Sequence, residues 1–510
     1  MATKKKTTKK SASKKAKGGT AKGAAKKATK KKAKKTGVGL APAGFLLVNM
    51  IPKSLSGETN QDSEPHLTVN PANPLQIIGT AFSPNPGGGA LAPLYMSLDG
   101  GNTWALNPIV PSTLGHPRGT GDITTSFNSN ATKLYGGILR AGSGNLEFLR
   151  TNTPFGSAPM TVLQSRPNGD QPYTHARTIP SGTGAGRDVV YIGDNDFNAR
   201  PATQTIDQSL NAGTASPTIT SVRVEKRPTL GQDGPQCRPV AHADGTVYAA
   251  FYHWRSSTGV FDSNTFVVTS ADVVVVRDDA WGAHNFMDLV EPPAPAGDSL
   301  AGKRVVQGVS FPFMRNGIPA TGQQRIGGSI SIAVDPNNSK TVYLAWGDRQ
   351  VGSFLTLHLR RSTDSGLTWS GPGDLLTIPN ATNAALAIDA AGRIGYLYQQ
   401  VTGAGAAQRW VTHLRRSTDG INWDDLILAT VPATTPVKTF DPYIGDYDHL
   451  VAVNQTFFGI FSANNTPDMA NFPNGVSYQR NANFTTRTLL NVSGTTQVAP
   501  SIDPFFFKVT

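Results

Sequence analysis

One cysteine, Cys237, occurs in 510 residues, so neither an intrachain disulfide nor a cysteine-based zinc site can form. No run approaches the roughly 18 apolar residues of a membrane helix. Acidic residues are missing from residues 1–36, and no arginine precedes Arg118, so an Arg-rich transit peptide is not expected. Beyond residue 36 charge of either sign is scarce: 31 basic and 34 acidic groups, about 14 per cent of that stretch against the roughly 25 per cent usual in globular domains. The net +13 is therefore the sum of a tail carrying 16 lysines and a body of net −3, and a nucleic-acid reading of the whole surface is excluded. The nine histidines are scattered without metal-ligand spacing, so no metal and no cofactor is expected.

In place of the Glu, Lys and Ala of surface helices stand Gly, Pro, Asn, Thr and Ser, the composition of many short strands and many turns. Residues 1–37 are a separate object. They contain only Lys, Ala, Thr, Ser and Gly after Met1, cannot bury a core, and resemble the lysine-rich tails of linker histones in composition. Such a tail is expected to be disordered. The lysines between Lys4 and Lys35 suit either a sequence-independent tether to a polyanion (nucleic acid, anionic lipid, polyphosphate or cell-wall polymer) or a solubilising segment. The following stretch, VGLAPAGFLLVNMIP (38–52), is interrupted by Pro42 and Asn49 and reads as a first strand docked on the body rather than as an export signal. Localisation and oligomeric state are left open.

The body repeats. An apolar alternating stretch, an Asn or Asp turn and a second apolar stretch recur as HLTVNPANPLQIIGTAF (66–82), RPVAHADGTVYAAFY (238–252), SISIAVDPNNSKTVYLAW (329–346), LAIDAAGRIGYLY (386–398) and LVAVNQTFFGIF (450–461). Weaker copies lie at 122–139 and 176–193. Taking Asn70, Asn128, Ser181, Asp244, Asp335, Asp389 and Asn454 as turn markers gives seven units at spacings of 58, 53, 63, 91, 54 and 65. Four-stranded hairpin units at this period predict an all-β propeller, seven blades rather than six, over residues 38–510. The long interval predicts an insertion at about 291–326, and ring closure predicts pairing of 43–50 with 499–509.

A second element recurs inside the units. Ser97-Leu98-Asp99-Gly100-Gly101-Asn102-Thr103-Trp104 and Ser362-Thr363-Asp364-Ser365-Gly366-Leu367-Thr368-Trp369 share Ser-x-Asp-x-Gly-x-Thr-Trp, and Ser417-Thr418-Asp419-Gly420-Ile421-Asn422-Trp423 is one residue shorter. The pattern resembles the Asp-box, or bacterial neuraminidase repeat, of sialidase-like propellers. Its role there is structural: Ser and Asp oxygens accept turn amides, Gly supplies a positive φ, and Trp packs against a neighbouring blade. Gly445-Asp446-Tyr447-Asp448-His449-Leu450 is similar to a late-blade motif of the same superfamily. That resemblance implies a retaining glycosidase in which three arginines grip a sugar carboxylate, a tyrosine is the nucleophile and an aspartate the acid/base, the noted exception to the two-carboxylate scheme.

Residues just before innermost strands surround the centre of a propeller. Here these are Glu64, Arg118, Asp122, Asp170, Tyr173, Arg177, Arg238, Arg325, Asp446 and Tyr447. Arg118, Arg177, Arg238 and Arg325 are the candidate substrate-binding cations, and Asp446 and Tyr447 the candidate acid and nucleophile. Asp194-Asn195-Asp196-Phe197-Asn198 has the oxygen density of a calcium loop but no Gly and no closing Glu, and reads as a turn. Two functions follow: binding or cleavage of an acidic glycan in a central funnel, or a non-catalytic propeller scaffold held to a polyanion by the tail.

Overall fold

The computed structural model describes residues 44–82, 89–111, 120–140, 143–199, 201–231, 237–261, 263, 265–292, 300–313, 329–350, 355–371, 373–436 and 444–510. The chain divides into Met1–Gly39, which lies outside these residues, and Leu40–Thr510. The second unit is a seven-bladed β-propeller. Six blades are four-stranded antiparallel meanders, at 66–111, 123–167, 169–223, 238–312, 330–379 and 381–432. The seventh combines His449–Val453 and Thr456–Asn464 with the C-terminal strand Ile502–Val509, the N-terminal strand Leu46–Asn49 and the short Ser477–Tyr478. Leu46–Asn49 pairs antiparallel with Ile502–Val509, Leu46 opposite Lys508 and Asn49 opposite Phe505, so both ends of the described chain lock one blade. Among the described residues helix is confined to three single 3-10 turns.

The stretch expected as an insertion is corrected by the strand Lys303–Pro312, the fourth strand of blade 4, paired with Val267–Asp278. Blade 4 is long because residues 279–302 separate its third strand from its fourth and because its second and third strands each run 12 residues. The flanking 293–299 and 314–328 lie outside the described residues.

Alternation along each strand puts apolar side chains on both sheet faces, and the buried residues form seven clusters, one at each blade–blade junction. The junction of blades 7 and 1 gathers Val48, Met50, Tyr95, Trp104, Phe458 and Phe506. Burial of large apolar side chains, about 1.5–3 kcal/mol each, thus holds blade to blade around the whole ring.

The inner edge of each sheet needs a different solution, because strand amides there have no further strand to meet. Side chains of the preceding blade accept them. Thr125 and Phe127 N–H donate to His66 Nδ1 (3.4 Å) and Thr68 Oγ1 (3.2 Å). Thr174 and Ala176 N–H donate to Thr124 Oγ1 (2.9 Å) and Ser126 Oγ (3.0 Å). Ala384 and Leu386 N–H donate to Ser329 Oγ (2.7 Å) and Ser331 Oγ (3.0 Å), and Leu67 N–H to His449 Nδ1 (3.3 Å).

The three Ser-x-Asp turns join third to fourth strands, at the rim on the face where innermost strands end. In the first, Ser97 Oγ accepts Gly101 N–H (2.9 Å), Asp99 accepts Thr103 N–H (2.9 Å) and Trp104 Nε1–H donates to Gly101 O (3.1 Å). Ser362, Asp364, Gly366 and Trp369 repeat these bonds, and Ser417, Asp419, Gly420 and Trp423 do so in the shortened turn. Amides of Asn422 and Ile421 hold the Asp419 carboxyl below its usual range. Blade 4 obtains a similar turn from Asp278, which accepts N–H bonds from Ala280, Gly282, His284 and Phe286.

One buried ionic knot lies in blade 7. Arg480 donates through Nη1 to Glu58 Oε1 (3.1 Å) and Asp503 Oδ2 (2.9 Å), and through Nη2 to the carbonyls of Ser56 (2.9 Å) and Glu58 (2.9 Å). Asp503 also accepts Asn49 Nδ2 (2.7 Å) and Asn465 Nδ2 (2.7 Å), tying the N-terminal strand to the C-terminal one.

Candidate functional site

Innermost strands begin on one face of the ring, here called the funnel face. Glu64 precedes His66–Val69, Asp122 precedes Ile123–Phe127, Arg238 opens Arg238–Ala241, and Asp446 and Tyr447 precede His449–Val453. In blades 3 and 6 the strands Gly169–Thr178 and Ala381–Ile388 carry bulges at this end, between Asp170 and Tyr173 and between Thr382 and Ala385. A bulge re-aims side chains, and here it presents Gln171 and Asn383. Glu64 (φ 56°), Gln171 (φ 50°) and Asn383 (φ 58°) are all left-handed non-glycine residues. Three such residues around one axis concentrate backbone strain of about 1–2 kcal/mol each at the centre of this face.

The segment bearing Asp446 and Tyr447 is wedged between blades. Gly445 (φ +91°) lies so close to blade 1 that a Cβ on it would stand 2.5 Å from the Glu64 nitrogen. From the other side Asn383 Nδ2 donates to Gly445 O (3.3 Å) and to Gln399 Oε1 (3.0 Å). Asp446 Oδ2 accepts Gln171 Nε2 (2.8 Å), Gln171 Oε1 accepts Asn195 Nδ2 (3.2 Å), and Asn195 Oδ1 accepts Gln204 Nε2. This amide relay crosses three strands of blade 3 and fixes the carboxylate.

Tyr447 is 1 % exposed, and its hydroxyl has no hydrogen-bond partner among the described residues. Burial pushes its pKa well above 10; Asp122, Glu64 and Asp446 push the same way, and Arg238 opposes them. The Arg238 guanidinium lies 4.1 Å from the Tyr173 ring centre and 5.4 Å from that of Tyr447, cation–π geometry on two rings. Its Nε lacks a partner among the described residues, as does Asp122 Oδ1. Among the described residues the funnel face therefore brings together one arginine, three carboxylates and a neutral phenol.

Beneath them a layer of rings crosses the axis. His66 and His449 stack at 3.8 Å, and Tyr173 meets them edge-on at 5.5 and 5.8 Å. Because Leu67 N–H occupies His449 Nδ1, the proton sits on Nε2, which donates to Tyr173 Oη (2.9 Å). Burial, then the nearby Arg238 charge, depresses the His449 pKa to about 3. Both histidines are neutral fittings of the inner edge.

Arg177 is placed elsewhere. The sequence repeat puts the start of this strand at 176, whereas the strand begins at Gly169 and Arg177 falls at its far end. Four residues separate it from Tyr173, about 13 Å along a strand, so it does not share a layer with Arg238. Arg118 and Arg325 lie outside the described residues. Asp194 belongs to a strand, Asp188–Asp196, not to a turn, and its carboxylate pairs with Arg166 (2.6 Å). Gln171, Asn195, Gln204 and Asn383 are not visible as site residues in the sequence, where amides before strands read as turn formers.

Asp278, His284 and Asp288 bring ligand atoms close together, but the Asp278 oxygens accept four backbone amides and His284 Nδ1 bonds Asp288 (2.8 Å), so their donors serve the turn.

No family model matches the chain, and no curated protein matches it. Among solved structures it is similar to an ulvan lyase of polysaccharide lyase family PL25, at 10% identity over 79% of this chain and 91% of that one, TM-score 0.47. It is also similar to the Hadza microbial sialidase Hz136 (13% identity, 76% and 73% covered, TM-score 0.37). A third is the α-L-arabinofuranosidase Arb93A of Fusarium graminearum (10% identity, 91% and 98% covered, TM-score 0.34). At such identities and scores the likeness carries neither site nor substrate across.

Proposed function

We propose that the funnel face is a glycan site at which an acidic sugar is held through Arg238 and its glycosidic bond cleaved by Tyr447, Asp122 and Asp446. The observation that carries this reading is the buried Tyr447 hydroxyl, which has no hydrogen-bond partner among the described residues and lies beside carboxylates and the Arg238 guanidinium. A neutral phenol does not repel a sugar carboxylate as a carboxylate nucleophile would. In the first step Tyr447 Oη bonds the anomeric carbon while its proton passes to Asp122. The anomeric C–O bond breaks as Asp446 protonates the leaving oxygen; water deprotonated by Asp446 then attacks the anomeric carbon, and the Tyr447 Oη–C bond breaks as Asp122 returns its proton to the phenolate. Gln171 keeps Asp446 directed at the funnel, and Arg238 takes the sugar carboxylate.

Release of a fluorescent aglycone from aryl sialosides and uronides tests it. Tyr447→Phe and Asp122→Asn are each expected to lower kcat by about 10²-fold or more, and Arg238→Ala to act chiefly on KM. A wild-type protein inert on sialosides, uronides and neutral glycosides would sink the catalytic reading. Glycan binding abolished by Arg238→Ala would then leave a lectin-like site, and no glycan binding would leave a scaffold.

The lysines between Lys4 and Lys35 extend this proposal to location: they tether the propeller to a polyanion. Deleting residues 2–36 is expected to abolish retention on immobilised DNA or polyphosphate and flatten its salt dependence; unchanged retention refutes the tether.

A further inference from the structure

The axial channel does not end at the ring layer. Past His66, Tyr173 and His449 it opens into a cavity of about 430 Å³ that reaches the face where the innermost strands end. This volume is within the range of small-molecule sites. Its walls differ by blade. Blades 4 to 7 supply the half-buried apolar side chains of Val240, Val334, Ile388 and Ala452, whereas blades 1 to 3 supply Thr68, Ser126, His175 and Arg177.

The polar wall contains buried donors without acceptors among the described residues. Arg177 Nη1 is held on Ala241 O (3.2 Å), while its Nε, like His175 Nε2, has no partner among the described residues. His66, 1 % exposed, accepts Thr125 N–H on Nδ1, which puts its proton on Nε2, and that donor is also unpartnered there. The described lining residues include no carboxylate. Asp244, outside the lining, is paired with His242 (2.9 Å), and its charge also acts on Arg177, where it opposes the burial that lowers the arginine's pKa. The funnel face gathers carboxylates; this half of the channel gathers an arginine and N–H donors.

We propose that this cavity is a second ligand site, for a small monocarboxylate with an apolar body. The carboxylate meets the guanidinium of Arg177, and the apolar body lies along Val240, Val334, Ile388 and Ala452. Arg177 is half-buried in the cavity wall, where an anion that meets its guanidinium gains a charge-assisted bond. The apolar wall opposite distinguishes an organic acid from an inorganic ion.

Calorimetric titration of the full-length protein with benzoate and hexanoate tests this, with benzamide, hexanamide and inorganic phosphate as comparisons. Saturable binding of the acids is expected, with the amides and phosphate at least about tenfold weaker. Arg177→Met is expected to remove the acid preference, and Ala452→Phe, which fills the cavity and leaves Arg177 in place, to remove binding. Tyr447→Phe, across the ring layer, leaves binding unchanged, so failure here is separable from failure of the glycan reading. Absence of binding by both acids at millimolar concentration overturns the proposal, as does phosphate bound as tightly as benzoate or unchanged binding in a folded Arg177→Met protein.

Discussion

Arg480→Met is expected to cost about 3–5 kcal/mol of folding free energy at pH 8, read from urea denaturation, because it leaves buried carboxylates without their cation. Arg480 is 2 % exposed, and its four hydrogen bonds reach Ser56, Glu58 and Asp503. Met fills much of the volume but replaces none of them. The loss should shrink toward pH 5, since carboxyls that have lost the guanidinium escape repulsion by taking up protons. The wild-type protein already shows the tendency: burial first, and the Asp503 charge second, push Glu58 from 4.5 up to about 8 against the pull of Arg480. The folded state thus binds that proton more tightly than the unfolded chain. The stability it contributes is complete below pH 4.5 and is lost as pH rises through about 8, so the wild-type midpoint should fall across that window. A midpoint that climbs from pH 5 to 8 would contradict the assignment.

The second large effect separates three glycines that each donate N–H to the serine of a Ser-x-Asp turn. In Gly101→Ala the new Cβ would stand 1.9 Å from Phe506 Cε1 at a φ of +91°. Phe506 is fully buried in the C-terminal strand and packs on Trp104 at 5.2 Å, so it has nowhere to retreat. Overpacking of about 1–3 kcal/mol adds to left-handed strain of about 1–2 kcal/mol, for an expected loss of roughly 2–5 kcal/mol. In Gly366→Ala and Gly420→Ala the new Cβ comes no nearer than 3.2 Å, to Leu289 Cδ2, and 3.5 Å, to Leu375 Cδ1. Their loss should be nearer the strain alone, about 1–2 kcal/mol. Equal losses at all three glycines, measured by denaturation, would show that the turn and not the closing blade sets the cost.

Much of the fold was legible because it repeats. The turn markers Asn70, Asp244, Asp335, Asp389 and Asn454 fall at or just beyond the ends of innermost strands, and the expected pairing of 43–50 with 499–509 matches the observed Leu46–Asn49 with Ile502–Val509. Lys303–Pro312 was illegible since the Pro-rich run before it reads as loop, while its strand character comes from pairing with Val267–Asp278. In the site, Arg238, Asp122 and Tyr447 could be found by their place before an apolar strand. Gln171 and Asn383 could not, because a bulge leaves no mark in hydrophobic alternation. Arg177 was misplaced for a related reason: polar residues 169–175 extend the strand toward the funnel, and polarity there masks strand pairing that the inner edge tolerates.

The amide-to-side-chain bonds along the axis run one way round. Blade 1 serves blade 2, blade 2 serves blade 3, blade 5 serves blade 6, and His449 of blade 7 serves Leu67 of blade 1. An open row of blades would always begin with a strand that is owed an acceptor and finish with one that has an acceptor to spare. Only a circle cancels the two. The polar residues that interrupt these strands, unpromising as core, make the assembly intolerant of stopping short, and the His449–Leu67 bond is where the last blade recognises the first.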